Sequence, residues 1–508
     1  VIDTIFGGNM EETNCEFCGQ CVLVCPTGSL MKRVNKYVGY PDYSVSTICS
    51  YCGCGCNIQL EMKDGQIISV TPERNDEVNK DCLCVKGHFA FDYVQSEARL
   101  PAPFVKRSGV LTRATWDEAL DTVAQRLTEI KEKHGPQAIG IIASAKCTNE
   151  ENYLIQKLAR AVIGTNSIDN CGELCHKATL EGLTEAFGSA VMTNPMADIE
   201  KAGCIFVVGS NTTGTHPIVA LRIKWAVRKG AKLIVANPRE IDLCRFAHLW
   251  LPIKPGTDVA LINGMMQVMI EQGLWDRSFV EERCEQFEAL AASLGQYTPE
   301  RVSEISGVPQ EDIVTAARLL ATGGRHPEYH TPAVFDSLVY EVGSQGETDS
   351  LCIIYGAGIT HHSNALDGVH ALANLAMLTG CLGREGGGLN PLAGQNNVQG
   401  ASDMGALPDY LPGFQRVDDE EARYKFETEW GVEALPEKPG FTLLGMLKAA
   451  RQGKIKALYI IGQNPTLTTP DLDYVKECLE ALDFLVVQDI FLTETAQLAD
   501  VVLAGASS

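Results

Sequence analysis

Along this chain the spacing of apolar positions moves between the two-residue repeat of strands and the helical repeat, and each change marks an element. Residues 57–72 read NIQLEMKDGQIISVTP and alternate about Asp64-Gly65, a pair suited to a tight hairpin turn. A small β-rich unit is therefore expected near the amino end. Residues 117–133 (DEALDTVAQRLTEIKEK) carry apolar side chains at helical spacing and stop at His134-Gly135-Pro136. From Ala138 onward, short apolar strands alternate with helices, which predicts a parallel sheet with crossovers. IGIIASA at 139–145 is the first such strand. The clearest unit is CIFVVG (204–209), the polar loop SNTTGTH, a helix from Pro217 to Gly230 and KLIVAN (232–237). Leu221 and Trp225, four apart on that helix, are expected to face the sheet.

The unit recurs. ALYIIGQNP (457–465) repeats the strand and polar loop of CIFVVGSN, and FLVVQD (484–489) repeats KLIVAN, with a last strand VVLAG at 501–505. Polar loops at the carboxyl ends of parallel strands are where nucleotide phosphates and riboses bind, so two such units predict two nucleotide-like ligands. Neither loop reads G-x-G-x-x-G, which argues against an ordinary dinucleotide site.

With 508 residues the chain needs more than one core. Its 42 Lys and Arg against 64 Asp and Glu leave a charge of -22, which disfavours nucleic acid as a partner. No apolar run is long enough to span a bilayer. About half of the 19 cysteines form two clusters near the amino end and the rest are scattered, the pattern of a reduced, cytoplasmic compartment. The chain starts at Val1 without a methionine, so a preceding segment is expected.

Cysteine spacing changes the picture most. Residues 15–26, CEFCGQCVLVCP, follow the bacterial ferredoxin run C-x2-C-x2-C-x3-C-P. Cys15, Cys18 and Cys21 should bind one [4Fe-4S] cluster and Cys25 a second, as if the chain began inside a two-cluster ferredoxin domain. A second group combines Cys49, Cys52, Cys54 and Cys56 in a tight loop with Cys82 and Cys84 on a distant return. Four thiolates also suit structural zinc, but the specific run upstream favours iron and sulfide. Further on, DNCGELCHKATLEGL (169–183) sets Cys175 beside His176, as a nucleophilic thiol, a soft metal ligand or a buried structural thiol, with Cys171 as its rival. The stretch at 376–407 gathers glycines and amides, Gln395, Asn396, Asn397 and Gln399 among them, a concentration unusual for turns alone.

The pattern C-x2-C-x3-C followed by C-x-K-G resembles the cluster loop of the catalytic subunit of molybdenum or tungsten formate dehydrogenases, in the dimethyl-sulfoxide-reductase superfamily. The resemblance runs from residue 15 to 508. It implies an α/β, multidomain molybdopterin oxidoreductase fold with a ferredoxin-like piece (1–40) and a small β-rich [4Fe-4S] domain (41–105). Parallel-sheet molybdopterin domains with the metal site (106–440) and a second nucleotide-binding unit (441–508) would follow, and a β-barrel domain beyond. It implies Cys49, Cys52, Cys56 and Cys84 as cluster ligands, leaving Cys54 and Cys82 as extras. Lys86 falls between cluster and pterin, Cys175 on Mo or W, and His176 as the proton-handling partner. Two molybdopterin guanine dinucleotides are implied, one lined by Gly209, Ser210, Asn211, Pro217, Asn237, Arg239, Gly256 and Asp258, the other partly by Gly462, Asn464 and Pro465.

Two departures bear on substrate. Family members usually read N-P-x-R-G-Q-N-N where this chain has Ala393, and carry arginine two residues before the metal ligand, where it has Glu173. An arginine clamps a carboxylate through paired charged hydrogen bonds, and Lys177 could replace its charge but not its fork. Formate oxidation or carbon dioxide reduction is thus the first reading. A paralogue with a less anionic substrate is another, and an electron-transfer subunit with an idle pterin site a third. Other iron-sulfur and flavin, NAD(P) or ferredoxin redox subunits are the implied partners.

Overall fold

The alternation at 57–72 folds as a hairpin of strands Asn57–Lys63 and Gln66–Pro72, with strand Tyr43–Ile48 completing a three-stranded antiparallel sheet. Asp64 and Gly65 have φ of 51° and 74°, the double left-handed turn that matches strand twist. The structure is a computed structural model that describes residues 15, 18–31, 38–325 and 349–507. Parts of the expected ferredoxin-like piece at 1–40 lie outside the described residues.

The helical pattern at 117–133 forms helix Trp116–His134, opened by the Thr115 side chain accepting from the Glu118 amide and ended at Gly135. Beyond it lie two mainly parallel sheets. The first has five parallel strands in the order Leu249–Leu251, Lys232–Ala236, Cys204–Val208, Leu351–Tyr355, Gly388–Pro391. Both of its faces are covered. Phe206 and Val208 enter one apolar cluster while Ile205 and Val207 enter another, as strand alternation requires.

The second sheet has seven strands, Val110–Arg113, Phe104–Arg107, Val501–Ala504, Phe484–Asp489, Ala457–Ile461, Ile139–Ile142 and Ile168–Asp169. The expected boundary at 440/441 falls between strands that this one sheet brings together. The strands of 441–508 pair with Ile139–Ile142 on one side and with Phe104–Arg107 on the other, so the sheet joins segments more than 300 residues apart. Local apolar runs report that a strand exists and not which neighbour buries it.

A correction concerns helix Pro217–Arg228. Its buried face is carried by Val219, Ile223, Ala226 and Val227, which pack with Ile205 and Leu233 of the sheet. Leu221 and Trp225 are half-buried, and Lys80 lies over the Trp225 ring. Leu221 still packs at the margin of that cluster, but the helix is covered on a second side, which places its most buried positions away from the pair that spacing alone singled out. That second cover is the small domain: fully buried Arg222 donates to the carbonyls of Glu77 and Val78 (2.7 Å to Val78) and pairs with Glu200. Among the described residues no helix is long and apolar enough to cross a membrane.

Candidate active site

In each sheet the strand order reverses at one point, where adjacent strands send their chains to opposite sides and leave a crevice at their carboxyl ends. In the first sheet that point lies between Cys204–Val208 and Leu351–Tyr355, and in the second between Ile139–Ile142 and Ala457–Ile461. The repeat seen in the sequence is also a repeat of conformation. Gly209 and Gly462 end their strands at φ 60° and 57°, and their amides donate to the strand ends beside them, Gly209 to Ala236 (3.2 Å) and Gly462 to Gln488 (2.8 Å). Asn211 and Asn464 then open one-turn helices, Thr212–Thr215 and Pro465–Thr468.

At the first crevice a cavity of about 240 Å³ is lined by Cys175, His176, Lys86, Gly209, Ser210 and Asn211 from the expected set, joined by Thr179, His216, Tyr355 and Gly394. Cys175 ends the short helix Gly172–Cys175, its carbonyl held by the Thr360 hydroxyl at 2.6 Å. Burial raises its thiol pKa, while the Gly394 amide, bonded to the sulfur, opposes the rise. Gly394 lies close to that sulfur: a Cβ built on it would stand 3.9 Å away, in ordinary contact. His176 is 8% exposed, and its Nε2 is buried without a hydrogen-bond partner. Burial pushes its pKa down to about 4, so the ring is neutral.

Lys86 lines this cavity and a second pocket walled by Cys49, Cys52, Cys54, Cys56 and Cys84 with Thr215, Pro217 and Ile218. The front loop is closed by the Cys49 amide on the Cys56 carbonyl (2.8 Å), and the return ends in helix Val85–Phe89, which carries Lys86. Burial pushes the Cys49 thiol up to about 11. A bare thiolate is therefore disfavoured here, and a cationic cluster would offset the cost. The described cysteines form no disulfide. Among the described residues no three Cys, His, Asp or Glu groups converge as for a single ion. The sulfurs ring a pocket, the arrangement that a ligand at each corner of a cubane requires.

The remaining expected residues fall as follows. Pro217 stands in the wall of the cysteine pocket and not of the Cys175 cavity. Asn237, Arg239, Gly256 and Asp258 follow the neighbouring strands Lys232–Ala236 and Leu249–Leu251 of the first sheet, with the Asn237 side chain accepting from the Arg239 amide at 3.0 Å. Burial raises the Asp258 pKa. Gly462 lines a 410 Å³ cavity with Ser50, Tyr51, Lys146, Cys147 and Asp489 at the second crevice. Asn464 spends its side chain on Glu494 (2.7 Å) and Thr495 (2.7 Å), which locks two strand-end loops together ahead of buried Pro465. Asn396 and Asn397 bridge the sheets: Lys146 Nζ donates to Asn396 (3.1 Å) and to the carbonyls of Ser50 (2.7 Å) and Tyr51 (3.0 Å), while Asn397 donates to the Cys147 carbonyl (2.8 Å). Half-buried Gln395 precedes them. Cys171 is not in the wall around Cys175, and it accepts from the Ala145 amide. Of the ferredoxin run, Cys21 sits on helix Gln20–Leu23, the Leu30 amide approaches the Cys25 sulfur at 3.5 Å, and Gln20 ties the segment to the Asp81 carbonyl at 2.8 Å. Cys18 lies near Cys82. Cys15 is half-buried.

Sequence reasoning passed over His216 and Lys146. His216 Nε2 donates to the Ala393 carbonyl (2.7 Å), and its Nδ1 accepts from the Thr215 hydroxyl (2.8 Å). Its position just before the helix-opening Pro217 was the available signal. The two departures are resolved structurally. Ala393 turns its carbonyl to His216 and to the Gly53 amide (3.0 Å), and Lys177 is bound to Glu173 at 3.0 Å and to Glu181 at 4.0 Å. The charge that Lys177 was expected to supply is thus neutralised, and among the described residues no arginine lines the cavity.

Residues 99–508 match the family described as molybdopterin oxidoreductase, with residues 43–96 matching its Fe4S4 domain and residues 10–31 a 4Fe-4S binding domain. The chain belongs to the molybdopterin oxidoreductase family. Among its relatives, the F420-dependent formate dehydrogenase subunit alpha of Methanocaldococcus jannaschii is 44% identical over 463 residues, which are 91% of this chain and 64% of that one. Formate dehydrogenase H of Escherichia coli is 40% identical over 470 residues, 91% of this chain and 62% of that one. The chain thus spans less than two thirds of the length of these relatives. In fold it is similar to the acetylene hydratase of Pelobacter acetylenicus (TM-score 0.68, 22% identity, 90% of this chain and 62% of that one). Molybdopterin oxidoreductases use a metal-pterin group and iron-sulfur clusters, and the residues present fit both. Cys175 and His176, whose buried Nε2 has no partner, line a cavity at a switch point, and five cysteines line the pocket next to it.

Proposed function

We propose that this chain is the catalytic part of a formate dehydrogenase-like enzyme, converting formate to carbon dioxide, a proton and two electrons, or the reverse. The observation that carries the reading is Lys86, which lines both the Cys175 cavity and the cysteine pocket, so that the reaction site and the electron exit share one wall. In this proposal Cys175 holds Mo or W. Loops 209–211 and 462–465, with the amides of 395–397, seat two pterin guanine dinucleotides. Cys49, Cys52, Cys56 and Cys84 hold one [4Fe-4S] cluster, and Cys15, Cys18 and Cys21 hold another, with Cys25 serving a third. The metal-pterin group supplies the two-electron acceptor. His176, neutral and with Nε2 unpartnered, takes the proton at that atom. Lys86 offers positive charge to the anion, and His216 fixes the Ala393 loop above it. Electrons leave toward iron-sulfur and flavin, NAD(P) or ferredoxin redox subunits. A cytoplasmic setting belongs to the same proposal.

The ion pair of Lys177 with Glu173 and the methyl group of Ala393 favour a second reading, a less anionic substrate at the same metal. Formate-dependent dye reduction by metal-replete protein separates the two. Activity in the native chain that falls at least 100-fold in Cys175→Ala supports formate. No activity until Ala393→Arg is introduced supports the second substrate.

A further inference from the structure

The cysteine pocket holds one sulfur more than a cubane has corners: Cys49, Cys52, Cys54, Cys56 and Cys84 all line it. Cys54 is the one that the spacing pattern leaves over, yet it is not turned away. It is 6% exposed, the same as Cys56, and it packs in the same apolar cluster with Ile218 and Val219. Thiol hydrogen bonds run from Cys52 to Cys54 and from Cys54 to Cys56. The backbone amide of Val219 donates to the Cys54 sulfur. Val219 lies in the first turn of the 12-residue helix Pro217–Arg228, so this donor comes from a helix amino terminus. The neighbouring Gly55 takes φ of +61°, and its amide donates to the Cys52 carbonyl at 3.4 Å, which folds Cys54 back between Cys52 and Cys56. An inert core cysteine would need neither an amide donor nor two thiol neighbours.

We propose that Cys54 is a reserve ligand of the [4Fe-4S] cluster, able to take over the iron corner of Cys52 or Cys56 when that sulfur is lost. The exchange breaks one iron-sulfur bond and forms another. The Cys54 thiol gives up its proton to solvent, the departing thiolate takes one up, and no electron moves. This inference rests on the reading of the pocket as a cluster site. The test uses the full chain, reconstituted anaerobically with iron and sulfide and followed by iron content per folded protein and electron paramagnetic resonance. A wild-type protein without a cubane signal defeats the cluster reading itself and so is distinguishable from failure of the Cys54 proposal. Cys56→Ala and Cys52→Ala are each expected to keep the wild-type iron content with a shifted spectrum. The double variants Cys54→Ala/Cys56→Ala and Cys54→Ala/Cys52→Ala are expected to lose iron and show a three-iron signal when oxidised. Loss of iron or of folded holoprotein in both single variants overturns the proposal. Retention of the wild-type iron content in the double variants overturns it too.

Discussion

His248 shows how much a single buried ring contributes to pH dependence. Its Nδ1 accepts from the Leu233 amide at 3.1 Å, its Nε2 is buried without a partner, and burial, aided by nearby Lys232, pushes its pKa from 6.5 down to about 4. The unfolded chain therefore binds a proton between these values that the folded chain does not. Its contribution to stability is intact above about pH 6.5 and is lost as pH falls toward 4, amounting to about 2–3 kcal/mol by pH 4. Asparagine keeps an acceptor for the Leu233 amide without the titration. Urea unfolding from pH 7 to 4.5 should accordingly give a flatter curve for His248→Asn than for the native chain. At the reaction site, Glu173 and Lys177 neutralise each other at 3.0 Å, which no reading of adjacent letters decides, because either side chain could have turned into the cavity.

Among elements, the two strand-end loops are the most demanding. Gly358 packs against Gly209 across the first crevice, and a Cβ there would meet the Gly209 Cα at 2.6 Å and its carbonyl oxygen at 2.7 Å. Both obstacles are backbone and cannot swing away. Gly358→Ala should cost about 1–3 kcal/mol and lower pterin content, read from thermal unfolding and cofactor extraction. The helix Pro217–Arg228 tests the corrected packing. Ile223 is fully buried where Leu221 is partly buried, so Ile223→Ala should cost roughly 3–4 kcal/mol and Leu221→Ala about half as much in denaturant titrations. Equal losses would restore the face that spacing alone suggested.

At the scale of the molecule, the seven-stranded sheet makes residues 104–169 and 457–504 interdependent. Removing 441–508 takes away the neighbours of Phe104–Arg107 and Ile139–Ile142 and exposes their edges. Limited proteolysis of a chain ending at residue 440 should cut within 99–170 while 204–321 stays protected, with the fragments identified by mass spectrometry. Equal protection of both regions would mean that 441–508 is separable after all. The same closure brings Asn396 and Asn397 between the two crevices, tied to Lys146 and the Cys147 carbonyl.

The sequence alone determined what depends on near neighbours. The hairpin turn at Asp64-Gly65, the ends of helix Trp116–His134, the repeated strand-loop units and the cysteine spacing are all set by local sterics, local hydrogen bonds and coordination chemistry. Tertiary structure decided what depends on partners distant in sequence. It set which strands share a sheet, the second covered side of the helix after Pro217, and the pairing of Lys177 with Glu173. It also gathered Lys86, Cys175 and Gly209 around one cavity. A residue's own letters fix its period and its donors, but burial and charge compensation are properties of the packed whole.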